Sequence, residues 1–102
     1  MGTGAFYRGG KSLKPKPREV IIDRVTGLVQ PARGVSVSSS PANLERFGGA
    51  YRLSNVPGDL QIVQIGRNPH HYEIIPANRM TWADYEEALE KIILDLVPPT
   101  SN

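Results

Sequence analysis

The sequence contains no cysteine, and this absence excludes disulfide bonds, cysteine-rich zinc sites and thiol nucleophiles. Its two histidines, His70 and His71, leave little room for a histidine-built metal site, so we expect no bound metal. No apolar run approaches the roughly 20 residues that span a bilayer, and the first residues lack the apolar centre of a signal peptide. We therefore expect a soluble, cytoplasmic protein that does not enter membranes.

Length and composition predict one folded domain over 1–102, with a loop over 9–18 and a disordered tail over 98–102. An apolar fraction of 39% and a charged fraction of 22% suit a chain that folds around a core. The net charge of +2 is unevenly distributed: residues 1–34 carry seven basic and two acidic side chains, and residues 80–102 carry one basic and five acidic ones. The basic segment is either a solvated loop surface or a docking site for phosphates, nucleic acid or an acidic protein.

The hydrophobic pattern predicts an α+β fold, with a small, mostly antiparallel β-sheet, one short helix and one long C-terminal amphipathic helix. Strands are predicted at 5–8, 34–38, 50–54, 60–65 and 72–75, and a hairpin over 20–29 with Gly27 in a left-handed turn position. The short helix is predicted over 41–47, after the N-cap residue Ser40. The long helix is predicted from Thr81 to Leu96, before Pro98.

A carboxylate interrupts the last predicted strand. Glu73 lies two residues after His71, so both side chains share one strand face and could form an acid–base pair. The simpler interpretation is an edge strand whose polar face contacts water.

Five further residues could bind a ligand. Arg8 precedes two glycines, and a guanidinium pairs well with phosphate. Ser36 and Ser38 share a strand face and could bind a ribose, whereas Phe47 and Tyr51 flank two glycines and could contact a flat ring. Each also has an ordinary structural interpretation, as a turn arginine, exposed serines and core aromatics.

Taken in order, these motifs resemble the arginine–serine–glutamate branch of the ADP-ribosyltransferase superfamily. Tyr7-Arg8-Gly9 resembles its first motif, Ser36-Val37-Ser38 followed by Phe47 its second, and the 71–76 segment its third. Within the superfamily the chain is most similar to a small group of type VI secretion effector toxins, which share a Gly-x-Ser-Val strand and a His-Tyr-x-Ile-x-Pro-Ala segment. The likeness covers residues 6–85.

The resemblance implies a role for each residue, with NAD as the substrate. Arg8 would hold the NAD phosphates or ribose, and Ser36 would bind the nicotinamide ribose. Glu73 would bind the ribose 2′-hydroxyl and stabilise the oxocarbenium-like state that forms as nicotinamide leaves. Phe47 or Tyr51 would stack on the nicotinamide. His71 stands where active transferases carry Glu or Gln, which disfavours arginine as the acceptor.

The implied protein is a bacterial toxin that is made in the cytoplasm, delivered into target cells and neutralised by an acidic immunity protein. Two alternatives remain open. Lys14, Lys16, Arg18 and His70 would suit an RNA 2′-phosphotransferase, a relative that also uses NAD. A binding module without catalysis would dock an acidic partner through residues 11–33.

Overall fold

Six short strands form one antiparallel sheet in a computed structural model that describes residues 4–98. The strands are β1 (Tyr7–Gly9), β2 (Val35–Ser38), β3 (Ala50–Ser54), β4 (Leu60–Gln64), β5 (His71–Pro76) and β6 (Ile93–Leu96). Their order across the sheet is β4-β5-β2-β1-β3-β6. The α-helix α1 (Trp82–Glu90) precedes β6, and 3-10 turns occur at Pro17–Glu19 and Glu45–Phe47. Strands far apart in the sequence therefore become neighbours.

The two faces of the sheet differ because successive side chains of a strand point to opposite sides. The two valines of β2 are buried in the hydrophobic core, whereas Ser36 and Ser38 are partly exposed on the opposite side. The register places Ser36 opposite Glu73 of β5 and Ser38 opposite His71. We call the side of these four residues the polar face and the other side the core face.

The core face packs against α1 through a buried tyrosine. Tyr85 is fully buried, and its hydroxyl donates to the Ile74 carbonyl (2.6 Å) and accepts from the Val35 backbone N–H (3.1 Å). The helix begins at the predicted cap, where the Thr81 hydroxyl accepts from the Asp84 N–H (3.0 Å). The helix is thus held by its N-cap at the start and by the Tyr85 hydrogen bonds to β2 and β5.

The predicted α+β class and its long C-terminal helix are wrong. The structure is mostly β, and within residues 4–98 its only α-helix is the nine-residue α1. Residues 93–96 leave the helix and form the edge strand β6, which pairs with β3. The apolar residues there fit helical spacing, but they also alternate, and a β-branched residue such as Ile93 suits an extended strand.

The predicted short helix over 41–47 is also wrong. Asn43 has a left-handed backbone conformation, with φ of 65°, which interrupts any α-helix at that point. Only the single 3-10 turn Glu45–Phe47 forms, and Gly48 in a left-handed conformation closes it. This segment becomes one wall of the cleft described below.

The five predicted strands form close to their predicted positions, and Gly27 has the expected left-handed φ of 74°. In the predicted 9–18 loop, Leu13 and Pro15 are buried, so this loop covers part of the core. The tail predicted over 98–102 lies, beyond Pro98, outside the described residues. The helices within residues 4–98 include none that could span a lipid bilayer.

Candidate functional site

A cleft of about 700 Å³ opens on the polar face of the sheet. It is bounded by β1, β2, the start of β5 and the segment 40–47. Its lining includes Arg8, Arg46 and both histidines but contains no carboxylate. Serine and asparagine side chains supply further hydrogen-bonding groups; these are Ser36, Ser38, Ser40, Asn43 and Asn68. A cleft with this charge and these donors suits an anionic ligand.

A buried carboxylate next to the cleft has all its hydrogen-bonding capacity in use. Glu73 is 1% exposed. Its Oε1 accepts from Arg33 Nε (2.8 Å) and from the Gly34 backbone N–H (3.1 Å). Its Oε2 accepts from Arg33 Nη2 (2.9 Å) and from His71 Nε2 (2.9 Å). We call this group of four residues the Glu73 clasp.

The clasp keeps Glu73 ionised. Burial by itself would raise the pKa of the carboxyl. The hydrogen bonds from Arg33, His71 and Gly34, together with the charge of Arg33, outweigh burial and lower the pKa of Glu73 to about 2. The side chain of Arg33 is 52% exposed and that of Glu73 is 2% exposed, so the arginine is the solvent-facing partner of the ion pair.

Gly34 lets the backbone come close enough to complete the clasp. A Cβ atom on this residue would overlap the Ile74 carbonyl oxygen and collide with the Tyr85 hydroxyl. Because glycine has no Cβ, the chain can enter β2 here and direct the Gly34 N–H at Glu73. Close packing therefore requires a glycine at the first position of the Gly-x-Ser-Val motif.

His71 connects the clasp to the cleft, since it lines the cleft and also contacts Glu73. An ionised carboxylate can only accept hydrogen bonds, so His71 Nε2 must carry the proton in their 2.9 Å contact. In the neutral ring Nδ1 is then an acceptor. The neighbouring His70 is exposed and its Nδ1 contacts the Ser39 hydroxyl at 2.7 Å. The two histidines thus have different partners at one cleft.

Arg8 occupies the gap where β1 and β2 diverge. Only Tyr7 of β1 pairs with β2, opposite Ser38. Beyond that pair, Arg8 Nη1 donates to the Ser36 carbonyl (2.7 Å) and Nε donates to the Ser12 carbonyl (2.9 Å). Burial lowers the pKa of Arg8, and the charge of Glu19 partly offsets that effect. Three of the five guanidinium N–H groups are not used by these two bonds.

Phe47 forms the wall of the cleft next to β1. A Cβ on Gly9 would lie 2.6 Å from the Phe47 ring, so the absence of a side chain there leaves room for this phenylalanine. The ring is 52% exposed, and the Arg46 guanidinium lies 4.8 Å from its centroid. The wall therefore offers an aromatic surface next to a cation.

The structure brings most of the sequence-predicted site residues to this cleft. Its lining includes Arg8, Ser36, Ser38, Phe47 and His71. It does not include two of the predicted residues, Glu73 and Tyr51. Glu73 is enclosed by the clasp, and Tyr51 lies on β3 opposite Arg8 and Leu96.

Among the site residues that were not predicted from the sequence is Arg33. It lies in a loop just before β2, and 40 positions separate it from Glu73. One signal was available: a glutamate within an apolar strand is expected to be buried, and a buried carboxylate needs a cation or several donors. An arginine next to the Gly-x-Ser-Val motif was therefore a reasonable partner.

The basic N-terminal segment lies elsewhere. A second cavity, of about 430 Å³, is lined by Lys11 and Lys14 together with Glu86 and Glu90 of α1. The basic and acidic ends of the chain thus meet at this cavity. Neither lysine lines the cleft that holds Arg8.

Comparisons with known proteins add no assignment: no family model, curated protein or solved structure matches this chain. Within residues 4–98, no group of histidine and acidic side chains is arranged to hold a metal ion. The chemical interpretation of the cleft therefore depends on its own residues.

Proposed function

We propose that this protein binds NAD in the cleft and breaks the bond between nicotinamide and ribose, by ADP-ribosyl transfer or by hydrolysis. The observation that carries this proposal is the grouping of Arg8, Ser36, Ser38, Phe47 and His71 around one cleft. These five residues come from three separate sequence motifs that resemble those of ADP-ribosyltransferases.

The charge of the cleft supports a dinucleotide ligand. Arg8 and Arg46 line it and no carboxylate does, which suits a pyrophosphate. The volume of about 700 Å³ lies within the range of roughly 300–1,000 Å³ that is typical of small-molecule sites. The exposed ring of Phe47 can stack on nicotinamide or adenine.

The experiment is a pair of measurements on purified protein: NAD binding by calorimetry, and nicotinamide release over time. We expect the wild type to bind NAD and to release nicotinamide. Ser36→Ala and Phe47→Ala should weaken NAD binding by about tenfold each, because each removes one ligand contact. Val25→Ala is the matched control, since Val25 is 93% exposed in the turn between Ile22 and Val29 and does not line the cleft. A wild-type protein that neither binds nor consumes NAD would refute the proposal.

A toxin role with an acidic immunity partner follows from the same resemblance, and we propose it as the biological setting. Lys16 and Arg18 are exposed and line neither cavity, so they are available to a protein partner. Charge reversal of both residues should weaken the ability of the immunity protein to protect cells that express this protein, but it should leave NAD consumption unchanged. If the double variant is rescued as well as the wild type, the partner docks elsewhere.

A further inference from the structure

Glu73 in the clasp and His71 in the cleft have different chemical roles, and their assignment rests on the proposed NAD activity. We infer that His71 is the general base of the site, that Glu73 and Arg33 act by positioning it, and that the acceptor is water or another hydroxyl group.

Glu73 is poorly suited to act directly on a substrate. Both carboxylate oxygens already accept two hydrogen bonds each, and the side chain is 2% exposed. A carboxylate held this way is also a weak base, because the surrounding donors lower the pKa of Glu73 to about 2. For Glu73 to reach a ribose hydroxyl, the exposed Arg33 would first have to leave.

His71 has the geometry that Glu73 lacks. Its ring is partly exposed, lines the cleft and lies opposite Ser38 in the register. Because Nε2 donates to Glu73, the carboxylate fixes both the tautomer and the orientation of the ring, which leaves Nδ1 to accept a proton. The other cleft histidine, His70, already uses its Nδ1 in the contact with Ser39.

This base suits an O–H acceptor. As the C1′–N bond of NAD breaks, its electron pair moves to the nicotinamide nitrogen, and nicotinamide leaves as a neutral molecule. The oxygen of water or of an alcohol attacks C1′ and passes its proton to His71 Nδ1, which later releases it to solvent. Water yields ADP-ribose, and a hydroxyl yields an O-linked ADP-ribosyl group. The oxygen of water or of an alcohol has a lone pair that can attack before its proton is lost, whereas a guanidinium has no free lone pair until it is deprotonated.

The test of the base is chemical rescue. His71→Ala should release nicotinamide about 10²–10⁴-fold more slowly than the wild type, while it still binds NAD. Added imidazole should restore part of this loss in His71→Ala and have no effect on His70→Ala. A His71→Ala variant that binds and consumes NAD like the wild type would overturn the inference and leave the proposed function intact. If the wild type neither binds nor consumes NAD, both proposals fail.

The positioning role has a readout that does not require NAD. Nitrogen-15 NMR of the imidazole should show His71 as the Nε2–H tautomer in the wild type. Glu73→Gln should change that tautomer population and slow nicotinamide release by about tenfold, an effect carried by kcat rather than KM. An Nδ1–H tautomer for His71 in the wild type would overturn the assignment of the base.

Discussion

The Glu73 clasp and the cleft beside it contain similar residue types but use them in opposite ways. In the clasp, an arginine, a histidine and a backbone amide all donate to one buried carboxylate. In the cleft, cations, serines and an aromatic ring surround about 700 Å³ of open space without a carboxylate. In the clasp the negative charge of Glu73 is already paired with Arg33, whereas the cleft has cations without a carboxylate.

Glu73 does not line the cleft, but it contacts a residue that does. A buried, fully paired carboxylate has little freedom, and it therefore holds its partners in one geometry. His71 is the partner that extends into the cleft. We expect substitutions in the clasp to affect stability first, and substitutions in the cleft to affect ligand binding with little effect on stability.

The largest effect is expected from Gly34→Ala, which attacks the clasp at its tightest backbone contact. The new Cβ would overlap the Ile74 carbonyl oxygen, so β2 and β5 would have to separate. We expect the free energy of unfolding to fall by at least about 4 kcal/mol, measured by urea denaturation. Gly58→Ala is the control, because nothing lies within 4 Å of its Cβ position. Equal stability of the two variants would show that β2 does not approach β5 in this way.

Acid titration tests the charge of the clasp directly. The pKa of Glu73 falls from 4.5 to about 2 on folding, so the folded state favours the ionised form. This contribution is complete above about pH 5 and is lost as the pH falls toward 2; it amounts to about 3 kcal/mol.

The measurement is urea unfolding of the wild type and of Glu73→Gln between pH 7 and pH 3. The wild type should lose stability more steeply with falling pH, because the amide that replaces the carboxylate in the variant has no proton to take up. Glu87→Gln, a change to an exposed carboxylate of α1, should retain the wild-type slope. Parallel curves for wild type and Glu73→Gln would mean that the carboxylate is not held as an anion.

Tyr85→Phe should produce a smaller loss on the core side of the same strands. The hydroxyl serves both the Val35 N–H and the Ile74 carbonyl, and both are buried. Its removal leaves two backbone groups without this partner and should cost about 2 kcal/mol of unfolding free energy. Thermal unfolding followed by circular dichroism measures it. A neutral result would indicate that water or a shift of α1 replaces the hydroxyl.

The strands could be predicted from the sequence because their alternation reflects one buried and one polar face. Ser36 and Ser38 alternate with buried valines, and that local pattern alone defines β2. The end of α1 could not be predicted in this way. Residues 92–96 satisfy both a helical and a strand period, and their pairing with β3, about 40 positions earlier in the chain, decides between the two.

The candidate site was only partly predictable for a related reason. Arg8 and His71 stand in recognisable motifs, so both could be predicted as site residues from the sequence. Arg33 stands outside these motifs, in a loop where only its position next to the Gly-x-Ser-Val segment distinguishes it. Its role arises only when the register of β2 and β5 brings Glu73 beside the start of β2. The contact that closes the clasp is a property of the fold rather than of a motif.

The smallest effect on stability is expected in the cleft, from Arg46→Ala. Arg46 is exposed and contacts the exposed ring of Phe47, so its removal should change the free energy of unfolding by no more than about 0.5 kcal/mol. NAD affinity should nevertheless fall by about tenfold, because a pyrophosphate would lose one cationic partner. Arg24→Ala provides the charge-matched control in the same calorimetric titration, because Arg24 is exposed in the turn between Ile22 and Val29 and does not line the cleft. If both variants bind NAD equally well, the positive charge of the cleft does not act on the ligand, and the contrast between the clasp and the cleft loses its functional meaning.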